Sequence, residues 1–97
     1  MKKIPRDLQG ILWSKKLNSL NLEKDKSYII HQVLAYGNLK QIKWLFNVFS
    51  RKEIIEVFTT SPRQNYTHSA FNFIKNYILD LEDNKKINPK AYVKATF

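Results

Sequence analysis

Cysteine is absent from this chain of 97 residues, which removes disulfides, thiolate zinc sites and cysteine nucleophiles together. Glycine is almost as scarce, with only Gly10 and Gly37. A loop that cradles phosphate through its backbone needs several clustered glycines, so that class of nucleotide site is excluded. No apolar run approaches the roughly 18 residues that span a bilayer, so no membrane partner is expected. The opening Met1-Lys2-Lys3-Ile4-Pro5-Arg6-Asp7 is basic with no apolar stretch behind it. It does not read as a signal peptide, and the cytoplasm is the expected location.

Acidic residues are the next shortage, eight against seventeen lysines and arginines, for a formal net charge of +9. The excess is not spread evenly. Residues 1–20 carry +4, residues 21–83 carry +1 and residues 84–97 carry +4. Basic termini on a nearly neutral body suit an anionic partner, either nucleic acid or an acidic protein surface. A Lys/Asn-rich composition with nine asparagines gives the same excess without any partner.

What is present is enough apolar material for one folded domain: 43% hydrophobic and 13% aromatic residues, well above the disordered regime. A short helix is predicted over 5–13, with Pro5 in its first turn and Leu8, Ile11 and Leu12 apolar at helical spacing. Trp13 reads as a core plug and Ser14–Leu20 as a basic loop. Asn21 is the expected N-cap of a helix over 22–36 that buries Ile29, Ile30, Val33 and Leu34, with Gly37 supplying a left-handed stop. Asn38 and Gln41 form a capping box for a helix over 39–49, whose Leu39, Ile42, Leu45, Phe46 and Phe49 share a face. Because Trp44 and Val48 widen that face, this helix is expected to be the central one. Ser50 and Glu53 make a second capping box, opening a helix to about Thr59. Thr67 caps a last helix to about Leu81, with Ala70, Phe71, Ile74, Tyr77, Ile78 and Leu81 buried. The expected core is Ile30, Val33, Leu34, Ile42, Leu45, Phe46, Phe58, Phe73 and Ile74. The fold class is therefore all-α: a compact, helix-turn-helix-like bundle of four to five short helices in one domain over 1–83. A basic tail over 84–97 follows, able to act as a strand or docking peptide.

Catalytic chemistry finds little footing. His31 falls in a buried helical stripe, where a lone histidine is a packing residue. His68 and Ser69 are adjacent on a helix and do not face each other. Glu53 and Glu56 share a face, but Arg51 and Lys52 beside them suit a solvated, salt-bridged surface. No metal site, cofactor or small-molecule substrate is expected, and no enzyme activity.

Two helix-turn-helix placements are open. One pairs the helices flanking Gly37-Asn38 and presents Lys40, Gln41, Lys43 and Asn47. The other pairs 51–59 with 67–81, placing Arg63, Gln64, His68, Ser69, Asn72 and Lys75 at the start of a reading helix while Arg51, Lys52 and Arg63 hold phosphates. Its seven-residue turn is longer than the usual three or four.

The run Tyr28-Ile-Ile-His-Gln-Val-Leu-Ala-Tyr-Gly37, then Ile42-Lys43-Trp44-Leu45, then Glu53-Ile-Ile-Glu-Val57, resembles a family of short bacterial proteins of unknown function. The resemblance extends over about residues 4–79 and includes a tryptophan soon after the first proline, here Trp13. His31-Gln32 stands in place of that family's acid–arginine pair, and Ile74 in place of a tryptophan that ends its Arg63–Ile74 segment. The resemblance implies a small partner encoded beside nucleotidyltransferase toxins, an antitoxin that binds and neutralises the toxin. Occlusion is the implied mechanism, with a basic surface or tail covering the enzyme's acidic metal pocket or RNA groove. The candidate contacts are Arg51, Lys52, Arg63, Lys85, Lys86, Lys90, Tyr92 and Lys94. The alternative is a DNA-binding regulator using Arg63, Gln64, His68, Ser69, Asn72 and Lys75, and a third reading is an RNA-associated accessory protein.

Overall fold

The computed structural model describes residues 4–12, 20–81 and 87–94. A 3-10 turn at Arg6–Gly10 leads to four helices: α1 (Lys26–Tyr36), α2 (Leu39–Val48), α3 (Arg51–Thr60) and α4 (His68–Phe73). A π-helical turn, Ile74–Ile78, continues α4, and a second 3-10 turn lies at Pro89–Ala91. The all-α bundle expected from the sequence is the fold observed. Trp13, Lys85 and Lys86 lie outside the described residues.

The central helix is α1, not α2. Six consecutive α1 residues, Ile29–Leu34, are buried, and α2, α3 and α4 all pack on it. A helix that is covered on every side has no polar face to show. By contrast α2 buries only Ile42 and Leu45, and Phe46 is half-buried.

The three expected caps on α2, α3 and α4 all form. Asn38 and Gln41 exchange bonds of 2.9 Å in a reciprocal box, and Ser50 and Glu53 do the same at 3.1 Å. Thr67 Oγ1 accepts from the Ala70 amide. Such caps satisfy amides that a helix start leaves orphaned, each contributing about 1 kcal/mol. The Ser50 amide also holds the Glu53 carboxyl below its ordinary range, with Lys26 assisting from 3.1 Å.

Two helix boundaries differ from expectation. Asn21 caps a separate turn, accepting from the Glu23 and Lys24 amides, and α1 itself begins only at Lys26. Gly37 is extended (φ −75°, ψ 156°), not left-handed. Glycine is needed there for space: a Cβ would sit 2.5 Å from the Val33 carbonyl oxygen.

The last helix is the largest departure. It widens into a π turn whose Leu79 amide bonds the Ile74 carbonyl. In this wider turn residues five apart share a face, so Ile74 and Leu79 are buried together while Tyr77 swings out. Asp80, at φ 49°, then ends the helix, and the Leu81 amide closes onto Lys75 O.

Residues 87–94 are part of the folded body, contrary to a domain ending at 83 with a separate tail. Tyr66 and Val93 form a parallel bridge, with Tyr66 N–H donating to Tyr92 O and Lys94 N–H to Tyr66 O. The Tyr92 ring is buried, stacked 4.7 Å from Phe58 and tilted against Phe71 at 5.1 Å. Its hydroxyl donates to Phe58 O at 2.6 Å. That carbonyl would meet the amide four residues on, but Pro62 has none, so Tyr92 supplies the missing donor.

Candidate functional site

Position 31 carries a side chain sealed from solvent. His31 Nε2 lies 2.7 Å from Ser61 O and Nδ1 lies 2.7 Å from the Tyr66 hydroxyl. A carbonyl only accepts, so Nε2 carries the proton and Nδ1 accepts from Tyr66. Burial lowers the His31 pKa to about 4, the Ser61 carbonyl opposing and the Arg63 charge adding to the shift. The neighbouring Gln32 donates to Ile11 O at 2.6 Å and accepts from Asn65 at 2.9 Å. Together the pair pins the 61–66 loop and the N-terminal turn onto α1. This is structural use, as the packing reading of His31 anticipates. Among the described residues no three His, Asp or Glu side chains converge as a metal site would need.

The open feature of the fold lies between α2 and the α4–π segment. Two cavities there, of 270 Å³ and 520 Å³, share Leu39 and Ile42 as a common wall and together make one trough. Leu34, Gly37, Ala70, Phe73 and Ile74 line the smaller part; Lys43, Phe46, Arg51, Tyr77 and Ile78 line the larger. Its rim holds three large exposed hydrophobics, Leu39 (63% exposed), Phe73 (43%) and Tyr77 (78%). The Phe73 and Tyr77 rings stack at 5.9 Å, so the π turn presents them as a unit. A contiguous apolar patch with a polar edge is the usual mark of a protein contact surface.

The sequence placed Phe73 in the core, Tyr77 in a buried stripe and Leu39 on the apolar face of its helix; the structure exposes all three. The readable sign was a surplus. Between Ala70 and Leu81 the chain offers Phe71, Phe73, Ile74, Tyr77, Ile78, Leu79 and Leu81, more apolar side chains than one helix face can bury.

Of the basic residues named as partner contacts, only Arg51 borders the trough among those described. Its guanidinium is already engaged, donating to Ile78 O and Leu79 O at 3.1 and 2.7 Å, which ties α3 to the end of the π turn. Tyr92 is unavailable as a contact because it is core. Arg63 and Lys94 gather elsewhere, over the rings of Tyr28 and Tyr36 at 5.4 and 4.8 Å. Lys52 and Lys90 are exposed. For the DNA-reading set, Gln64, His68, Ser69 and Asn72 are exposed and Lys75 is half-buried. Gln64 donates to Lys90 O, and Asn72 meets His68 at 3.2 Å. Their helix, α4, has only six residues before the π turn, and α3 and α4 both pack on α1.

The molecule is thus a small all-α bundle with an open apolar trough between α2 and the π turn. A family of unknown function, DUF6922, matches residues 8–58, just over half of the chain, and the chain belongs to it. The likeness read from the sequence stands at that level, as membership of a family without an assigned activity. No curated protein and no solved structure shows a significant match to the chain. Among the described residues, no helix is long and apolar enough to cross a membrane.

Proposed function

We propose that this chain is a non-catalytic binding protein of the bacterial cytoplasm, an antitoxin-like partner that neutralises a nucleotidyltransferase toxin by sitting on it. The observation that carries a protein-binding role is the trough of Leu39, Phe73 and Tyr77, an apolar surface with no cover from the chain's own described residues. The identity of the partner rests on the sequence resemblance. Docking through the trough would bring Lys43, and the Arg51 charge beside it, against the toxin's acidic metal-binding pocket or RNA groove. Occlusion of either stops nucleotide transfer without any chemistry from this chain. The tail is not the docking arm in this reading, because Tyr92 is spent in the core.

A pull-down of tagged protein from its host, treated with nuclease and read by mass spectrometry, tests the proposal. A stoichiometric nucleotidyltransferase surviving nuclease is the expected result. Recovery of nucleic acid with no stoichiometric protein would replace it with the regulator reading, in which exposed Arg63, Gln64, His68, Ser69 and Asn72 meet DNA. Affinity would then fall steeply with salt as phosphate contacts release counterions.

A further inference from the structure

The trough between α2 and the π turn, we infer, is the seat of an amphipathic helix of the partner, apolar on one face and flanked by carboxylates. This rests on the binding-protein reading above and states what the partner must present.

Three features select that occupant. The first is the backbone. Both walls of the trough are helical, with amides and carbonyls committed to their own turns. An extended peptide laid there would find no strand edge with which to pair, whereas a helix arrives with its backbone already satisfied. The second is shape. Ten residues of α2 run about 15 Å, room for roughly three turns of a docked helix. The two cavities on either side of the Leu39–Ile42 wall receive successive anchors at i and i+3 or i+4.

The third feature is charge. The charged residues lining the trough, Lys43 and Arg51, are both basic, and exposed Lys40 stands next to Leu39 on α2. A second copy of this chain would bring the same lysines against themselves, under a net charge of +9 on each copy. Like charges across an interface suppress that pairing and opposite charges favour the acidic partner.

A phage-displayed library of helical peptides provides the test. Positions i, i+3, i+4 and i+7 are held apolar, and the flanking positions are free to be acidic, neutral or basic. Selection is made on the full chain and, in parallel, on the Leu39→Glu/Tyr77→Glu variant. Both substituted side chains are exposed, so the variant is expected to fold, which an unchanged circular dichroism spectrum verifies. Clones with Asp or Glu beside the apolar stripe should dominate. They should lose at least about tenfold in affinity on the double variant, the scale of a lost anchor residue. Lys43→Glu should shift the preference towards basic flanks. Enrichment indifferent to flanking charge, clones bound equally by the double variant, or no enrichment at all would overturn the assignment. So would a dimer in sedimentation equilibrium that the double variant abolishes, because the trough would then belong to a second copy. The selection uses no toxin, so a pull-down that fails to return a nucleotidyltransferase leaves its result untouched. Conversely, a nucleotidyltransferase captured equally by the double variant would move the docking surface elsewhere while the antitoxin reading stood.

Discussion

Phe71 and Phe73 are two residues apart and meet opposite fates. Phe71 joins Phe58, Tyr66 and Tyr92 in a closed cluster with ring centroids 4.7 to 6.5 Å apart, and each tyrosine hydroxyl in it has a partner. Phe73 stacks on Tyr77 in the open, beside Leu39. The closed cluster collects its rings from α3, the 61–66 loop, α4 and the 87–94 segment, so it fastens the C-terminal part of the chain to the rest. Leu39, Phe73 and Tyr77 stand outside the core cluster of the described residues. Aromatic content is thus divided between holding the fold and facing outward, and substitutions in the two groups should separate those roles.

The widest gap is expected between Tyr92→Ala and Tyr77→Ala. Truncating a buried aromatic costs about 3–5 kcal/mol through lost burial and the cavity left behind. Tyr92→Phe, which keeps the ring, should cost about 1–2 kcal/mol, because the Phe58 carbonyl facing Pro62 would lose its donor. Urea denaturation measures all three. A Tyr92→Ala cost no larger than that of Tyr77→Ala would dissolve the distinction, and would also restore 87–94 as a detachable tail.

A pH series probes the closed cluster from inside. His31 has a folded pKa of about 4 against about 6.5 unfolded. Between those values the unfolded chain binds the extra proton, so the stabilisation is complete above pH 6.5 and drains as pH falls towards 4. The full amount is about 3 kcal/mol. Urea midpoints should therefore drop between pH 7 and pH 5. A flat profile over that interval would mean that the imidazole is not held neutral between Ser61 and Tyr66.

Between the two groups lies the stop at Asp80. A non-glycine residue at φ 49° costs about 1–2 kcal/mol, part of which glycine gives back as unfolded-state entropy. Asp80→Gly should consequently raise stability by about 0.5 kcal/mol, a shift of about 2–4 °C in Tm for a domain this size. A lower Tm would show that the Asp80 side chain contributes something the backbone geometry does not reveal.

Caps and periodicity made most of the fold readable. Asn38/Gln41, Ser50/Glu53 and Thr67 each fixed a helix start from three or four residues of local chemistry. Burial of Ile30, Val33, Leu34, Ile42, Leu45, Phe58 and Ile74 followed from helical spacing. The apolar surplus over 70–81 signalled an exposed group, but which residues form the trough was not legible, because the π turn that turns Tyr77 outward breaks the 3.6-residue period on which such reading depends. Nor was the role of Tyr92: its value lies in a carbonyl orphaned by Pro62, thirty residues earlier, and only the folded chain brings the two together. The reach of Arg51 to the end of the π turn is hidden for the same reason, which is why it read as a free cation.

The smallest stability effect is also the most informative about purpose. Leu39→Ser and Tyr77→Ser remove side chains that are 63% and 78% exposed, and exposed substitutions of this kind stay within about 0.5 kcal/mol. Thermal melts should barely move, while any binding that uses the trough should weaken by a much larger factor. That asymmetry matters because the packed core of α1 gives no reason for the surface to carry these two side chains. If either substitution costs stability on the scale of Tyr92→Ala, the trough is a poorly covered part of the core and its claim as a docking surface falls.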